Sequence, residues 1–388
     1  MISFDNTEIA FKSKSNRDLN KSYFLFNVIK RPSIVKIGSI LTEFAFNFRL
    51  PINGIVKATI FKQFCGGENI EECTETINKL SDFGIGAILD YSVEGKENES
   101  EFEKTKNETL NTLKKATQSA NIPFCVFKVT GLSRFALLEQ ISANKELSEN
   151  EKIEKIKIWE RVDSICKSAF ENSVPIFIDA EESWIQPAID ELAETMMEKY
   201  NLKSAIVYNT FQLYRKDRLD YLISSIEEAN KKKYFLGAKL VRGAYMEKER
   251  DRAQKLNYPS PINPSKEATD AMYDNALNHC LENINTVSIC AGTHNEKSSL
   301  ALVELMEKKS ISKNDKRIYF SQLFGMSEHI SFNLAKEGYN VAKYLPYGPV
   351  KDVLPYLIRR AQENTSVEGQ TGRELGLIIK EKERRSKK

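Results

Sequence analysis

The chain has 388 residues, 41% hydrophobic and 29% charged, which is ample for a large core and more than one small domain needs. Its net charge is +3; the closing KEKERRSKK holds six basic and two acidic residues, so it supplies +4 and leaves the rest at −1. A body so near neutrality has no basic stripe for nucleic acid, and no apolar run approaches the ~18 residues of a membrane span.

The opening MISFDNTEIAFKSK has neither a charged-then-apolar leader nor the acid-poor composition of a transit peptide, so a cytoplasmic protein is expected. Six cysteines without a CxxC pair, mostly among apolar residues, suit free buried thiols in a reducing compartment. Residues 1–75 read as an N-terminal helical arm, with helical pieces around Ile34–Phe48 and Ile55–Phe64 ahead of the Gly66-Gly67 break. The arm is expected to pack on the body of the chain. Its mixture of Phe, Ile and Lys also fits a helix lying on a membrane surface.

Over residues 76–370 a short apolar run, a polar turn and a longer amphipathic stretch recur. The runs are FGIGAILDYSVEG, IPFCVFKVTG, VPIFIDAEES, SAIVYNTFQLY, YFLGAKLVRGAY, NTVSICAGTHN, RIYFSQLFGM and NVAKYLPYG. Between them lie helical stretches such as AIDELAETMMEKY and DRLDYLISSIEEANKK. Eight strands alternating with helices predict an α/β fold, a (β/α)8 TIM barrel, with a doubly wound sheet as the alternative. The segment VLPYLIRRAQEN carries an apolar stripe at three- and four-residue spacing and includes the adjacent pair Arg359 and Arg360. Residues 371–388 read as a solvated basic tail.

Barrel chemistry sits at the C-terminal ends of strands, where the polar residues of these runs gather. The first run ends in Asp90 and Glu94, and the third in Asp179, Glu181 and Glu182. Lys128 interrupts the apolar CVFKVTG and Asp179 the apolar IFIDAEE; a buried charge is costly without a partner. The two can pair with each other or bracket a zwitterionic substrate. Lys128, Arg359 and Arg360 together suit a carboxylate, which a guanidinium fork grips by both oxygens. The three histidines, 279, 294 and 329, have no metal-ligand spacing, and no G-x-S-x-G elbow, P-loop or G-x-G-x-x-G fingerprint is present. Schiff-base chemistry at Lys128 or an organic cofactor held without a Rossmann fold is left.

Taken together the strand ends resemble the proline dehydrogenase family. The motifs that carry the resemblance are FKVTG (127–131), IDAEE (178–182), FQLY (211–214), AKLVRGAYMEKER (238–250), GTHN (292–295), QLFGM (322–326) and YLPYGPVKDVLPYLIRRAQEN (344–364). The resemblance implies a distorted barrel with FAD at the strand ends and the last helix over the mouth. It implies that Lys128, Arg359 and Arg360 bind the carboxylate of L-proline, that Tyr344, Tyr356 and Tyr245 pack near its ring, and that Asp179 is the active-site aspartate. Glu94 matches the first-strand acid loosely. For the flavin it implies Gln212, Arg242, Gly243, Ala244, Thr293, His294, Asn295 and Gln322, with Lys239 or Arg242 near N5 and Lys266 and Thr269 toward the adenosine end. Oxidation to Δ1-pyrroline-5-carboxylate, a membrane quinone as acceptor, a separate pyrroline-5-carboxylate dehydrogenase and peripheral contact with the inner face of a membrane are further expectations. A hydroxyproline dehydrogenase, a Schiff-base lyase at Lys128 and a non-catalytic proline sensor are the rival readings.

Overall fold

The computed structural model describes residues 2–48, 52–92, 97–366 and 370–387. Each apolar run forms one strand: β1 Ile85–Tyr91, β2 Phe124–Lys128, β3 Ile176–Asp179, β4 Val207–Gln212, β5 Leu236–Val241, β6 Val287–Gly292, β7 Ile318–Leu323 and β8 Val341–Tyr347. They close in chain order into an eight-stranded barrel with helices between them. This is a (β/α)8 barrel, and the doubly wound alternative falls. The pairing is parallel, with Lys128 opposite Asp179 across β2–β3, Lys239 opposite Cys290 across β5–β6, and Ile85 opposite Val341 across β1–β8.

Two compact units make up the chain, residues 94–321 and residues 1–93 with 322–388. In the first, β-branched and aromatic strand residues form the core; the Phe124 ring stacks on Phe177 at 4.5 Å and meets Tyr208 edge-on at 5.5 Å. Local chemistry sets the helix ends. Helix Glu149–Glu171 opens on a capping box between Ser148 and Glu151, and helix Gln186–Tyr200 has a proline in its first turn. Helix Arg218–Lys232 stops where Lys233 turns left-handed, at φ 63°.

The second unit contains the N-terminal helices Asn16–Ile29 and Pro32–Asn47 and a helical stretch over 53–64 with one π-helical turn. Phe11, Leu19, Phe26, Val35, Phe61 and Phe64 share a core with Val353, Leu354 and Leu357 of the segment ahead of Arg359. Behind this stretch the chain runs against the end of β8: Gly66 N–H donates to Pro346 O at 2.8 Å and Gly67 bridges Tyr347. A Cβ on Gly67 would lie 2.4 Å from Glu72 Cβ, so glycine is needed for the close approach.

The solvated tail is corrected. Gln370–Ser386 is a helix whose Leu375, Leu377 and Ile378 are buried in the same core. Its basic residues act as anchors: Arg385 donates to the carbonyls of Phe11 and Lys14 and to Asn16, and Arg384 and Arg385 clasp the buried Glu381. All six cysteines are free and buried. No helix among the described residues is long and apolar enough to cross a membrane.

Candidate active site

In residues 94–321 the strand ends bring most of the expected residues to the C-terminal rim. Lys128 closes β2 and Asp179 closes β3. Asp179 accepts an ion-pair hydrogen bond from Lys239 Nζ of β5 at 2.5 Å, with both side chains almost fully buried. Lys239 therefore carries a neutralised charge, its ammonium also 5.1 Å from the Phe177 ring centroid. Beyond β2, Thr130 donates its N–H and hydroxyl to the two oxygens of Glu181, at 3.0 and 2.5 Å. Burial pushes the Glu181 carboxyl up to about 8 against those hydrogen bonds, with the field of Glu182 adding to the rise and that of Lys128 opposing it.

Arg242, just past β5, donates from all three nitrogens: Nε to Asp270 at 2.7 Å, Nη1 to the Thr293 hydroxyl at 2.6 Å and Nη2 to the Ser298 hydroxyl at 2.9 Å. Its guanidinium lies 4.5 Å from the Tyr273 ring centroid. Lys266 is exposed and pairs with the other oxygen of Asp270 at 2.6 Å. Thr269 is buried, with its hydroxyl bonded to the Ser265 carbonyl in the first helical turn. Asn295 caps helix Glu296–Lys308 by accepting from Lys297 and Ser298 N–H, so its side-chain oxygen is already engaged. His294 is partly buried beside it.

Gly243 takes φ +136°, and a Cβ there would lie 2.3 Å from the Tyr214 ring, so glycine lets the chain turn tightly over that ring. Ala244 is exposed and Tyr245 buried. Glu249, fully buried further along the same motif, accepts the Ser183 N–H and hydroxyl at 2.6 Å each. Lys248 pairs with Glu182 at 2.8 Å. The AKLVRGAYMEKER and IDAEES motifs are thus tied to each other. Glu94 lies outside the described residues.

The other unit holds the remaining residues. Tyr344 of β8 is buried, and its carbonyl accepts from Phe324 N–H at 2.9 Å. Helix Leu354–Ser366 turns Leu354 and Leu357 into the core, keeps Tyr356 and Arg360 buried, and leaves Arg359 partly exposed. Tyr356 and Arg360 are one turn apart, with the guanidinium 5.3 Å from the ring centroid. Gln322 accepts from the Ser331 hydroxyl at 2.7 Å. Lys343, fully buried, donates to the Met326 carbonyl at 2.5 Å and lies 3.5 Å from Glu328.

A family model described as proline dehydrogenase matches residues 73–373. Proline dehydrogenase 1, mitochondrial, of Dictyostelium discoideum is 33% identical over 429 residues, covering 98% of this chain and 74% of that protein. Hydroxyproline dehydrogenase of Xenopus laevis is 31% identical over 413 residues, covering 97% and 89%. The crystal structure of proline utilization A from Bdellovibrio bacteriovorus has the same fold, with a TM-score of 0.73 at 21% identity over 93% of this chain and 38% of that one. The chain belongs to the proline dehydrogenase family. It is an oxidoreductase by that membership.

Within a proline dehydrogenase the residues divide by the partners they already have. Asp179 has Lys239 as its ion-pair partner, a pairing that sequence reasoning, with Lys128 as the expected neighbour, does not find. Glu249, Asp270 and Lys343 are likewise absent from the sequence-based set of site residues, and Glu181 enters it only as one acid among several at a strand end. Lys343 interrupts NVAKYLPYG as Lys128 interrupts CVFKVTG, so the same signal is there to be read. Asp270 and Glu249 sit in helices, where a polar residue raises no alarm.

A flavin fits the strand ends on one specific observation. Gln212, at the end of β4 and 2% exposed, has a side-chain oxygen with no hydrogen-bond partner among the described residues. A buried amide oxygen without a donor is unfavourable by roughly 1–3 kcal/mol, which a bound group bearing an N–H removes. Gln212, the Arg242 fork and the Thr293 hydroxyl offer the mixture of amide, cation and hydroxyl that a ring, phosphate and ribityl chain require.

Proposed function

We propose that the chain oxidises L-proline to Δ1-pyrroline-5-carboxylate with FAD as cofactor, the first step of proline catabolism. The reading is carried by one observation: charged side chains gather where β2, β3 and β5 end, Lys128 partly exposed and Asp179 and Lys239 buried, beside a β4 amide oxygen that lacks a donor. Lys128, Arg359 and Arg360 bind the substrate carboxylate, the lysine as a point charge and the arginines as forks. Tyr344, Tyr356 and Tyr245 bound the ring and exclude water from it. The cations favour the neutral ring nitrogen, whose lone pair must be free to form the C=N bond as the C–H bond on the neighbouring carbon breaks. Asp179 holds Lys239 in place; Gln212, Lys239, Arg242, Gly243, Ala244, Thr293, His294, Asn295 and Gln322 line the cofactor, with Lys266 and Thr269 toward its adenosine end. Bound there, FAD supplies the two-electron acceptor for the departing hydride.

Electrons pass on to a membrane quinone and the imine product to a separate pyrroline-5-carboxylate dehydrogenase, with the chain peripheral on the inner face of a membrane. The Xenopus relative, named a hydroxyproline dehydrogenase, gives a second reading. The buried phenol at Tyr344 supports proline, because a 4-hydroxyl adds bulk on a ring already bounded by an aromatic side chain. The deciding experiment is an anaerobic absorbance titration of the purified protein. Visible flavin bands that bleach with L-proline and barely with hydroxyproline are expected. A colourless protein that FAD cannot reconstitute, and that borohydride traps at Lys128 with a carbonyl substrate, would move the function to a Schiff-base lyase.

A further inference from the structure

Helix Pro32–Asn47 turns Val35 into the core of its unit and leaves large apolar side chains in solvent. Ile34, Ile37 and Leu41 are 40%, 59% and 61% exposed, and at about 100° per residue they fall within a sector of about 60°. Phe48, one residue past the helix and 65% exposed, continues the spacing seven residues after Leu41. Ile40, Phe24 on the preceding helix and Ile55 on the next one add further exposed apolar side chains. Single exposed apolar residues are ordinary; a helical stripe of them marks a surface that something covers.

We propose that this stripe seats the protein on an anionic lipid bilayer, with the helix lying in the plane of the interface. Two further observations fix the occupant. At 16 residues the helix is about 24 Å long, short of the ~30 Å hydrocarbon core, so it can lie in the interface but not span it. Between Asp18 and Glu68 the sequence has seven lysines and arginines and one acidic residue, Glu43. That balance gives +6 over a stretch of a chain whose total is +3. Lys30 and Arg31 directly precede the helix and Lys36 lies on it, all three exposed. A second copy meeting the same stripe would bring these like charges together, whereas an anionic headgroup layer neutralises them.

Seating of this kind rests on the peripheral placement proposed for the chain, and it is tested without turnover. The full chain is floated with vesicles of equal parts phosphatidylcholine and phosphatidylglycerol, and with phosphatidylcholine vesicles alone. Binding to the anionic vesicles that falls as salt rises is expected, and Ile37→Glu with Leu41→Glu should lower the partition coefficient about 100-fold. Lys30→Glu with Lys36→Glu should abolish the preference for anionic lipid, and unchanged thermal melting shows that each variant is folded. Absence of vesicle binding, or binding indifferent to the Ile37/Leu41 pair, overturns the proposal. So does a dimer by light scattering that the pair dissociates without any effect on vesicles, which would assign the stripe to a second copy. Reduction of a water-soluble quinone by the same preparations tests the reaction independently.

Discussion

Arg360 rests against Tyr356 while Arg359 stays partly exposed, so the two adjacent guanidinium groups live in different surroundings. Arg360→Ala should therefore reduce kcat/KM for proline about 100-fold through KM, and Arg360→Lys should recover little, because an ammonium has neither the fork nor the flat face. Steady-state kinetics across proline concentrations distinguish these outcomes from a loss of turnover alone. Tyr344→Ser should narrow the preference for proline over hydroxyproline by about tenfold, read as the ratio of the two kcat/KM values. Glu181 makes a prediction of a different kind. Its carboxyl, raised by burial to about 8, keeps a proton in the fold that the unfolded side chain releases near the ordinary ~4.3. Its contribution is full below about 4.3 and is lost as pH rises through about 8, at no more than about 1.4 kcal/mol per pH unit. Glu181→Gln should flatten the melting temperature against pH between those limits; an unchanged profile would place the titration elsewhere.

At the scale of elements, the strands were legible because a parallel barrel buries both faces of each strand, which leaves unbroken apolar runs in the sequence. Lys128 was legible for the same reason, as a charge inside such a run. The final helix was not. Its basic residues look like a solvated end until the carbonyls of Phe11 and Lys14 stand opposite Arg385, and those partners are more than 360 residues away in sequence. Tertiary partners of this kind leave no local periodicity. The pairing of Asp179 with Lys239 was hidden likewise, since it reaches from β3 to β5 across the intervening β4, and the register of neighbouring strands points instead to Lys128. Glu381 tests the anchoring of that helix. Burial opposes ionisation, yet hydrogen bonds from Arg384 and Arg385 hold its carboxyl down to about 2. Its stabilisation is present above the unfolded value of ~4.3 and disappears as pH falls through about 2. Glu381→Ala should reduce unfolding free energy by about 1–3 kcal/mol at neutral pH in urea titrations, with the difference from wild type shrinking in strong acid.

For the whole molecule, a cofactor that recognises only the folded chain must raise its stability by mass action. Free FAD at about 100 times its dissociation constant should add about 2.7 kcal/mol, visible as a melting temperature that climbs with flavin concentration. Gln212→Leu should weaken that climb by removing the amide oxygen proposed to accept from the flavin. The six buried thiols give the molecule a clock of its own. Cys65 and Cys73 lie in one unit and Cys125, Cys166, Cys280 and Cys290 in the other, each thiol pushed up by burial and so inert to alkylation while covered. Pulse-labelling with peptide mapping therefore times the opening of each unit separately. If flavin slows the labelling of Cys125 and Cys290 while leaving Cys65 as it was, the breathing of residues 94–321 can be followed without touching a single catalytic group.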